Sequence, residues 1–346
     1  MRFQGQRFQA VLHALCILVF ATPLYAATGL SEIASTPNHG VVTVFYPAMG
    51  KNVSLNKLGL PVFASPNATP VKGNGRLIVM SHGSGGSPWD YADLASTLVE
   101  AGFVVALPDH LRDNHQNGKD AGPTSWKVRP HEISSAIDAV AQDPRFAPTL
   151  KLDQVGMYGI SAGGQTALTL AGGRWAPVKM VQHCDANIRA DLHACVGLLF
   201  ELNGGIFDGI KVFFARLILR WRFNDDQWQS HTDPRITAIV AGVPYGVVFD
   251  LNSLARPKIP VALITARQDV WLHPQFHSDP IVRACQSCTV LHDFEKGGHG
   301  ALLSPIRSPL EGLVARLIGD PVGFDRQETA LVNQKISRYF QQRLLP

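Results

Sequence analysis

The 346-residue sequence predicts an α/β fold, a mostly parallel central sheet with helices on both faces and a helical cap inserted late in the chain. Three observations predict it. First, the apolar runs Arg76-Leu77-Ile78-Val79-Met80, Phe103-Val104-Val105-Ala106-Leu107 and Val155-Gly156-Met157-Tyr158 are separated by helix-forming stretches at about 91–101 and 130–142. Strands separated by whole helices pair in parallel through right-handed crossovers, because a short turn can only bring a chain back antiparallel. Second, the glycine-flanked turn Gly159-Ile160-Ser161-Ala162-Gly163 joins the last of these runs to the helix-forming Gln165-Thr166-Ala167-Leu168-Thr169-Leu170-Ala171. Third, the next strand-like run, Ile236-Thr237-Ala238-Ile239-Val240-Ala241, comes about 60 residues later than a helix and its connection require. An insertion at about 174–235 accounts for the gap.

The chain begins Met1-Arg2-Phe3-Gln4-Gly5-Gln6-Arg7, continues through a mostly apolar stretch at 8–20 and ends that segment on Leu24-Tyr25-Ala26-Ala27. A basic start, a short apolar core and small residues at its end make a secretory signal peptide of residues 1–26, cleaved near Ala26. The apolar core is shorter than the ~20 residues of a comfortable membrane span. The remaining residues, 27–346, are expected to form one domain, the cap insertion included, in the periplasm or outside the cell. Cleavage removes Arg2 and Arg7 and no acidic residue, lowering the formal charge of +4 by two. Nothing in that balance points to nucleic acid.

Of five cysteines, Cys16 leaves with the signal peptide and four remain, an even number suited to an oxidising compartment. Cys184 with Cys195 and Cys285 with Cys288 are the local pairing among three connectivities. The Cys285-Gln286-Ser287-Cys288 motif stands just before the strand-like Thr289–Phe294, which suits a structural bridge better than a redox centre at a helix start. No second ligand pair stands at zinc-finger spacing, and no metal or cofactor is expected.

In chain order, Val41-Val42-Thr43-Val44-Phe45-Tyr46 is an early strand and residues 50–75, rich in Gly, Pro and polar residues, read as a loop. Arg76-Leu77-Ile78-Val79-Met80 runs into Ser81-His82-Gly83-Ser84-Gly85-Gly86, a loop whose small residues leave its own amides open. His82 reads as an organiser of that loop, and Asp109-His110 as part of a loop hydrogen-bond network.

The turn around Ser161 carries the chemistry. Small neighbours permit a strained backbone at the serine, which then points its hydroxyl away from the sheet edge. Ser161 is the candidate nucleophile. The Ala162 amide opens the following helix, where unpaired N–H groups and the helix dipole favour a developing negative charge. The amide of Ser84 is the second candidate oxyanion donor. A G-x-S-x-G pattern by itself is also an ordinary glycine-rich turn. Downstream, however, Val261-Ala262-Leu263-Ile264-Thr265 leads to Asp269, and Thr289–Phe294 leads to Lys296-Gly297-Gly298-His299. A serine, then an acid, then a histidine, each in a loop after a strand, is the chain order of a Ser-His-Asp triad on this architecture. His299 would take the serine proton, and Asp269 would hold the imidazole and stabilise its cation.

With Ser161, Asp269, His299 and His82-Gly83-Ser84-Gly85-Gly86 in place, the sequence resembles the α/β-hydrolase superfamily. Within it, Phe45-Tyr46-Pro47-Ala48, Ser81-His82-Gly83, Leu107-Pro108-Asp109-His110 and the nucleophile turn resemble the predicted dienelactone hydrolases related to platelet-activating factor acetylhydrolases. That resemblance implies hydrolysis of a short-chain or lipid carboxylic ester through a serine acyl-enzyme. True dienelactone hydrolases use cysteine where this chain has Ser161, which favours the acetylhydrolase and general esterase side. An amide, thioester or polyester hydrolase, or an acyltransferase, would share the acyl-enzyme. A non-catalytic lipid-binding relative would normally have lost a triad member.

Within the insertion, Ile206, Ile210, Phe213, Phe214, Leu217 and Trp221 recur at helical spacing, and Asp208, Lys211, Arg216, Arg220 and Arg222 fall off that stripe when ~100° is stepped per residue. One amphipathic helix is expected. Its apolar stripe either roofs an acyl pocket or, near Phe213 and Trp221, makes peripheral contact with a membrane.

Overall fold

The protein is described here by a computed structural model covering residues 27–307 and 309–346, so the expected signal peptide lies outside the described residues. Ten strands form one sheet: β1 (Ala27–Ile33), β2 (Val42–Ala48), β3 (Val53–Lys57), β4 (Leu60–Pro66), β5 (Leu77–Ser81), β6 (Val104–Pro108), β7 (Val155–Ile160), β8 (Ile236–Gly242), β9 (Val261–Ala266) and β10 (Thr289–Phe294). Their order is β10-β9-β8-β7-β5-β6-β2-β1-β4-β3. All neighbours from β6 to β10 are parallel, while β2 runs antiparallel to both β6 and β1.

The helices are α1 (Ala92–Glu100), α2 (Pro123–Gln142), α3 (Ala162–Leu170), α4 (Val178–Asn187), α5 (Leu192–Val196), α6 (Asp208–Arg222), α7 (Ser278–Ala284), α8 (Gly312–Ile318) and α9 (Arg326–Leu344). Side chains alternate across a strand, so a strand covered on both faces must be apolar at every position. In β5, Leu77 and Val79 belong to the apolar layer that holds Ile133, Ile137 and Val140 of α2, while Ile78 and Met80 belong to the opposite layer, which holds Leu94 and Leu98 of α1 and Ile336 and Phe340 of α9. The strand is fully buried as a result.

Three expectations are corrected. Residues 50–75 are not simply a loop: they contain the antiparallel pair β3 and β4. Pro61 is tolerated there because β4 meets β1 only at Ser65 and Pro66, leaving the rest of that edge without a ladder to interrupt, and Pro66 stands at the strand's last position. Strand β1 itself was not expected. Helix α2 starts at Pro123, seven residues before the proline taken as its start, and carries Pro130 inside it.

Both disulfides form as expected, Cys184 with Cys195 and Cys285 with Cys288. They fit an oxidising compartment. The first joins α4 to α5 and closes a short loop, so replacing both cysteines with serine should cost about 2 to 3 kcal/mol in the chain-entropy picture. Thermal melting checks this: the double variant should melt below the oxidised wild type, and unchanged melting would show that packing alone holds α5.

Helix α6 forms where expected, but most of the expected apolar stripe faces solvent and only Phe214 of it lines the cavity described below. Val212, Ala215 and Leu219 are buried, whereas Phe213, Leu217 and Trp221 are 64%, 55% and 78% exposed. Among the described residues no helix is long and apolar enough to cross a membrane.

Candidate active site

Strand β7 ends at Ile160, and α3 begins at Ala162, leaving one residue to turn the chain. Ser161 makes that turn at φ 56°, ψ −122°. A side chain with positive φ is strained by roughly 1–3 kcal/mol and persists only where its surroundings over-determine it. Here they do. The Ser161 N–H donates to Gly242 O at 3.1 Å, and its carbonyl accepts from Gln165 N at 3.0 Å and Tyr245 N at 3.1 Å. The flanking glycines are required by close approach: a Cβ on Gly159 would lie 2.1 Å from Gly163 O, and one on Gly163 would lie 2.0 Å from Ser81 O.

Asp269 follows β9 and His299 follows β10. His299 Nδ1 and Asp269 Oδ2 are 2.7 Å apart, with both residues buried. The other oxygen, Asp269 Oδ1, accepts the N–H groups of Trp271 at 2.9 Å and Leu272 at 2.8 Å. A carboxylate held by three donors is fixed in place. With the Nδ1 proton given to the carboxylate, Nε2 is left as the acceptor nitrogen of the ring. The Trp271 ring lies over the imidazole with centroids 5.4 Å apart.

Ser161 and His299 line one cavity of about 940 Å³, together with Ala162, Ser84 and Gly83. No hydrogen bond joins Ser161 Oγ to His299 among the described residues; such bonds are often loose without substrate and tighten in the reacting complex. The cavity's outer walls are mostly apolar, with Leu198, Leu199 and Phe200 after α5, Phe214, Ile218 and Leu219 of α6, and Ile306, Leu310 and Val314, and with Lys211, Arg222 and Arg307 among them.

The loop after β5 is gripped from behind. Arg129 of α2, fully buried, donates through Nη1 to His82 O at 2.5 Å and through Nη2 to Gly83 O at 3.3 Å. A trans peptide holds its C=O and N–H antiparallel, so drawing the Gly83 carbonyl toward Arg129 turns the Ser84 N–H away from the guanidinium. Asp113 completes the grip, accepting from Ser84 Oγ at 2.7 Å and Gly85 N at 3.0 Å and pairing with Arg129 Nη2 at 3.0 Å. Burial alone would raise the Asp113 pKa, but Arg129 and the hydrogen bonds from Ser84, Ser125 and Gly85 outweigh it and hold it at about 2. Neither the Ser84 nor the Ala162 N–H is taken up by a hydrogen bond among the described residues. Gly83 abuts Ser161: a Cβ there would meet Ser161 Cβ at 3.4 Å.

No family model matches the chain, and no curated protein does. Among solved structures, a ferulic acid esterase from Streptomyces cinnamoneus is similar, with a TM-score of 0.60 and 16% identity over 94% of this chain and 91% of that one. The fold is that of the α/β hydrolases. In α/β hydrolases a nucleophile elbow stands at a strand-to-helix turn and an oxyanion amide is donated by the loop after an earlier strand; the turn at Ser161 and the loop after β5 are the corresponding places in this fold.

Sequence reasoning missed two buried clusters around this candidate site. Ser81 Oγ lies 2.7 Å from His110 Nε2, and His110 Nδ1 bonds Glu132 in turn. The set mimics a Ser-His-Glu triad, yet all three are buried and none lines the cavity. Burial pushes the His110 pKa well down and the Glu132 pKa up. With His82, whose Nε2 accepts His110 N–H at 3.2 Å, these residues brace the loop, as was expected of His82 and Asp109-His110. The available signal was a pair of charges, Arg129 and Glu132, on the face of α2 that carries Ile133, Ile137 and Val140.

The second cluster is His183, Asp191 and His277, whose ligand atoms lie within 4.8 Å of one another. Both histidines bond Asp191 Oδ2, at 2.8 Å and 2.9 Å. The set fits hydrogen bonds better than a metal. Gly246 N–H donates to His277 Nδ1 at 3.0 Å, which places the ring proton on Nε2, the atom that a metal would need bare. Asp191, on the connection between α4 and α5, is thereby tied to the loop after β9.

Proposed function

We propose that the protein is a serine carboxylic ester hydrolase. Ser161 attacks the ester carbonyl, His299 takes its proton and returns it to the leaving alcohol, and Asp269 orients and stabilises the imidazolium. The amides of Ser84 and Ala162 hold the oxyanion. Loss of the alcohol leaves the acyl group on Ser161 Oγ; in the second half of the same turnover water, its proton taken by His299, attacks that acyl-enzyme, releasing the acid and returning the proton to Ser161, with no metal or cofactor called on. The observation that carries this reading is the buried Asp269–His299 pair opening onto the cavity that the strained Ser161 also lines.

The cavity supports the substrate class. Volumes of about 300–1,000 Å³ are typical of small-molecule pockets, and this one, near the top of that range with apolar walls, suits an ester with a long or bulky apolar acyl group. That agrees with the lipid-ester, acetylhydrolase-like reading better than with the shortest esters. A second reading, an aromatic acyl ester such as the Streptomyces structure's name describes, is favoured by Trp126, Phe200, Phe214, Phe223, Tyr245 and Trp271 on the same walls.

A panel of p-nitrophenyl esters of rising chain length, run beside methyl ferulate and a phospholipid, tests this. Each buried methylene is worth ~0.8 kcal/mol, so kcat/KM should climb at least tenfold from acetate to octanoate. A maximum at acetate would remove the large-acyl reading while leaving ester hydrolysis standing.

A further inference from the structure

Helix α6 is amphipathic twice over. On a wheel of ~100° per residue, its buried arc holds Val212, Ala215 and Leu219, which pack into the core with Phe223. Half a turn away lies a solvent-facing ridge of Ile210, Phe213, Leu217 and Trp221, preceded by Ile206 in the turn before the helix, all more than half exposed. An apolar ridge this continuous on a surface marks something that covers it.

The charge around the ridge says what that is. Arg216 and Arg220 flank it on one side, Lys211 and Arg222 on the other, and the only acid of α6 is the buried Asp208. Arg220 reaches Asp185 of α4 at 3.0 Å, Arg216 approaches it at 3.9 Å, and Lys211 pairs with Asp208 at 3.0 Å. Four cations are thus set against two carboxylates, and none of those carboxylates lies on the ridge. Long cationic stems that run beside an apolar strip and end in charge suit the boundary between acyl chains and anionic headgroups, and an exposed tryptophan suits the same depth.

We propose that α6 docks the protein on an anionic lipid surface, with the Phe213–Trp221 ridge sunk among the acyl chains and the four basic residues meeting headgroup phosphates. The placement also serves the cavity. Phe214 and Ile218 belong both to the exposed side of α6 and to the cavity wall, so docking sets the cavity mouth against the bilayer. An ester could then pass from lipid to Ser161 without crossing water.

The test uses the full mature chain and vesicles of phosphatidylcholine, with or without 30 mol% phosphatidylglycerol, read by co-sedimentation and by the tryptophan emission shift. Wild type should bind the anionic vesicles, more weakly as salt rises. Phe213→Ser/Trp221→Ser should bind at least tenfold more weakly, yet melt within a few degrees of wild type and turn over a soluble short ester unchanged, since neither residue lines the cavity. Arg216→Gln/Arg220→Gln should lose severalfold of the preference for anionic over neutral vesicles. Ser161→Ala should bind as wild type does, which separates docking from hydrolysis. The proposal is overturned if wild type binds neither vesicle or if the Phe213/Trp221 variant binds as well as wild type. It is equally overturned if that variant converts a wild-type dimer to monomer, since a second copy would then be the occupant.

Discussion

Replacing Ser161 with alanine should lower the turnover of an activated ester by about 10⁴ to 10⁶, since losing one member of the proposed triad removes most of what the three do together. His299→Ala should fall as far. Asp269→Asn should lose about 10⁴, because the imidazole keeps its place but not its tautomer. The position adds a second readout. Ser161 sits at φ 56°, where a side chain is strained by roughly 1–3 kcal/mol. Glycine relieves that strain and gives back only about 0.5–1 kcal/mol in unfolded-chain entropy. Ser161→Gly should therefore be inactive and melt no lower than wild type. A Ser161→Ala protein that keeps a tenth of wild-type turnover would end the assignment of the nucleophile, and a Ser161→Gly protein that melts well below wild type would show that the turn is not strained.

The largest expected loss of stability is at Arg129. Its guanidinium is fully buried and paired with a buried carboxylate, and removing one partner of such a pair typically costs about 3–5 kcal/mol because the other charge is left alone. Arg129→Met should lower the melting temperature sharply, and adding Asp113→Asn should recover part of the loss. Catalysis should suffer separately. With His82 O and Gly83 O released, the Ser84 amide is no longer aimed, and kcat should drop by about ten- to a hundredfold, within the cost of losing an oxyanion donor, at nearly constant KM. A KM change alone would mean that the pair shapes binding and not the oxyanion site.

The same pair sets an acid limit. Asp113 titrates at about 2 when folded and at ~3.9 when unfolded. A carboxylate whose folded pKa is depressed contributes stability above its unfolded value and loses it as pH falls toward the folded one. Wild-type stability should thus decline from about pH 4 to pH 2, and in the Arg129→Met/Asp113→Asn protein that part of the decline should be absent.

Much of the hydrolase fold is legible in the residues because its central strands are covered on both faces and read as unbroken apolar runs. β5, β6, β7, β8 and β9 are such runs and lie within a residue or two of where the sequence puts them; β10, at the sheet edge and mostly exposed, is legible instead from its Thr289-Val290-Leu291 start after the Cys285–Cys288 motif. The hairpin of β3 and β4 is not legible, since a one-sided ladder at a sheet margin tolerates Pro61 and exposes Phe63, and so reads as a loop. The disulfides were legible because the paired cysteines are near neighbours in sequence, so little chain has to be folded to bring them together.

By itself the sequence determined the order of strands and helices, the turn at Ser161, the place of Asp269 and His299 after their strands, and the helical period of α6. These are local matters, set by backbone sterics, side-chain period and glycine spacing within a few residues. Only the tertiary structure decided which arc of α6 is buried. A helix with apolar residues on two arcs can bury either one, and the small face of Val212, Ala215 and Leu219 wins because it packs into the core beside α4 while the bulkier ridge is left facing solvent. It also decided that Arg129 lies inside: no spacing along the chain announces that a guanidinium on an apolar helix face will meet Asp113 and two loop carbonyls, because those partners converge only when α2 closes over the end of β5.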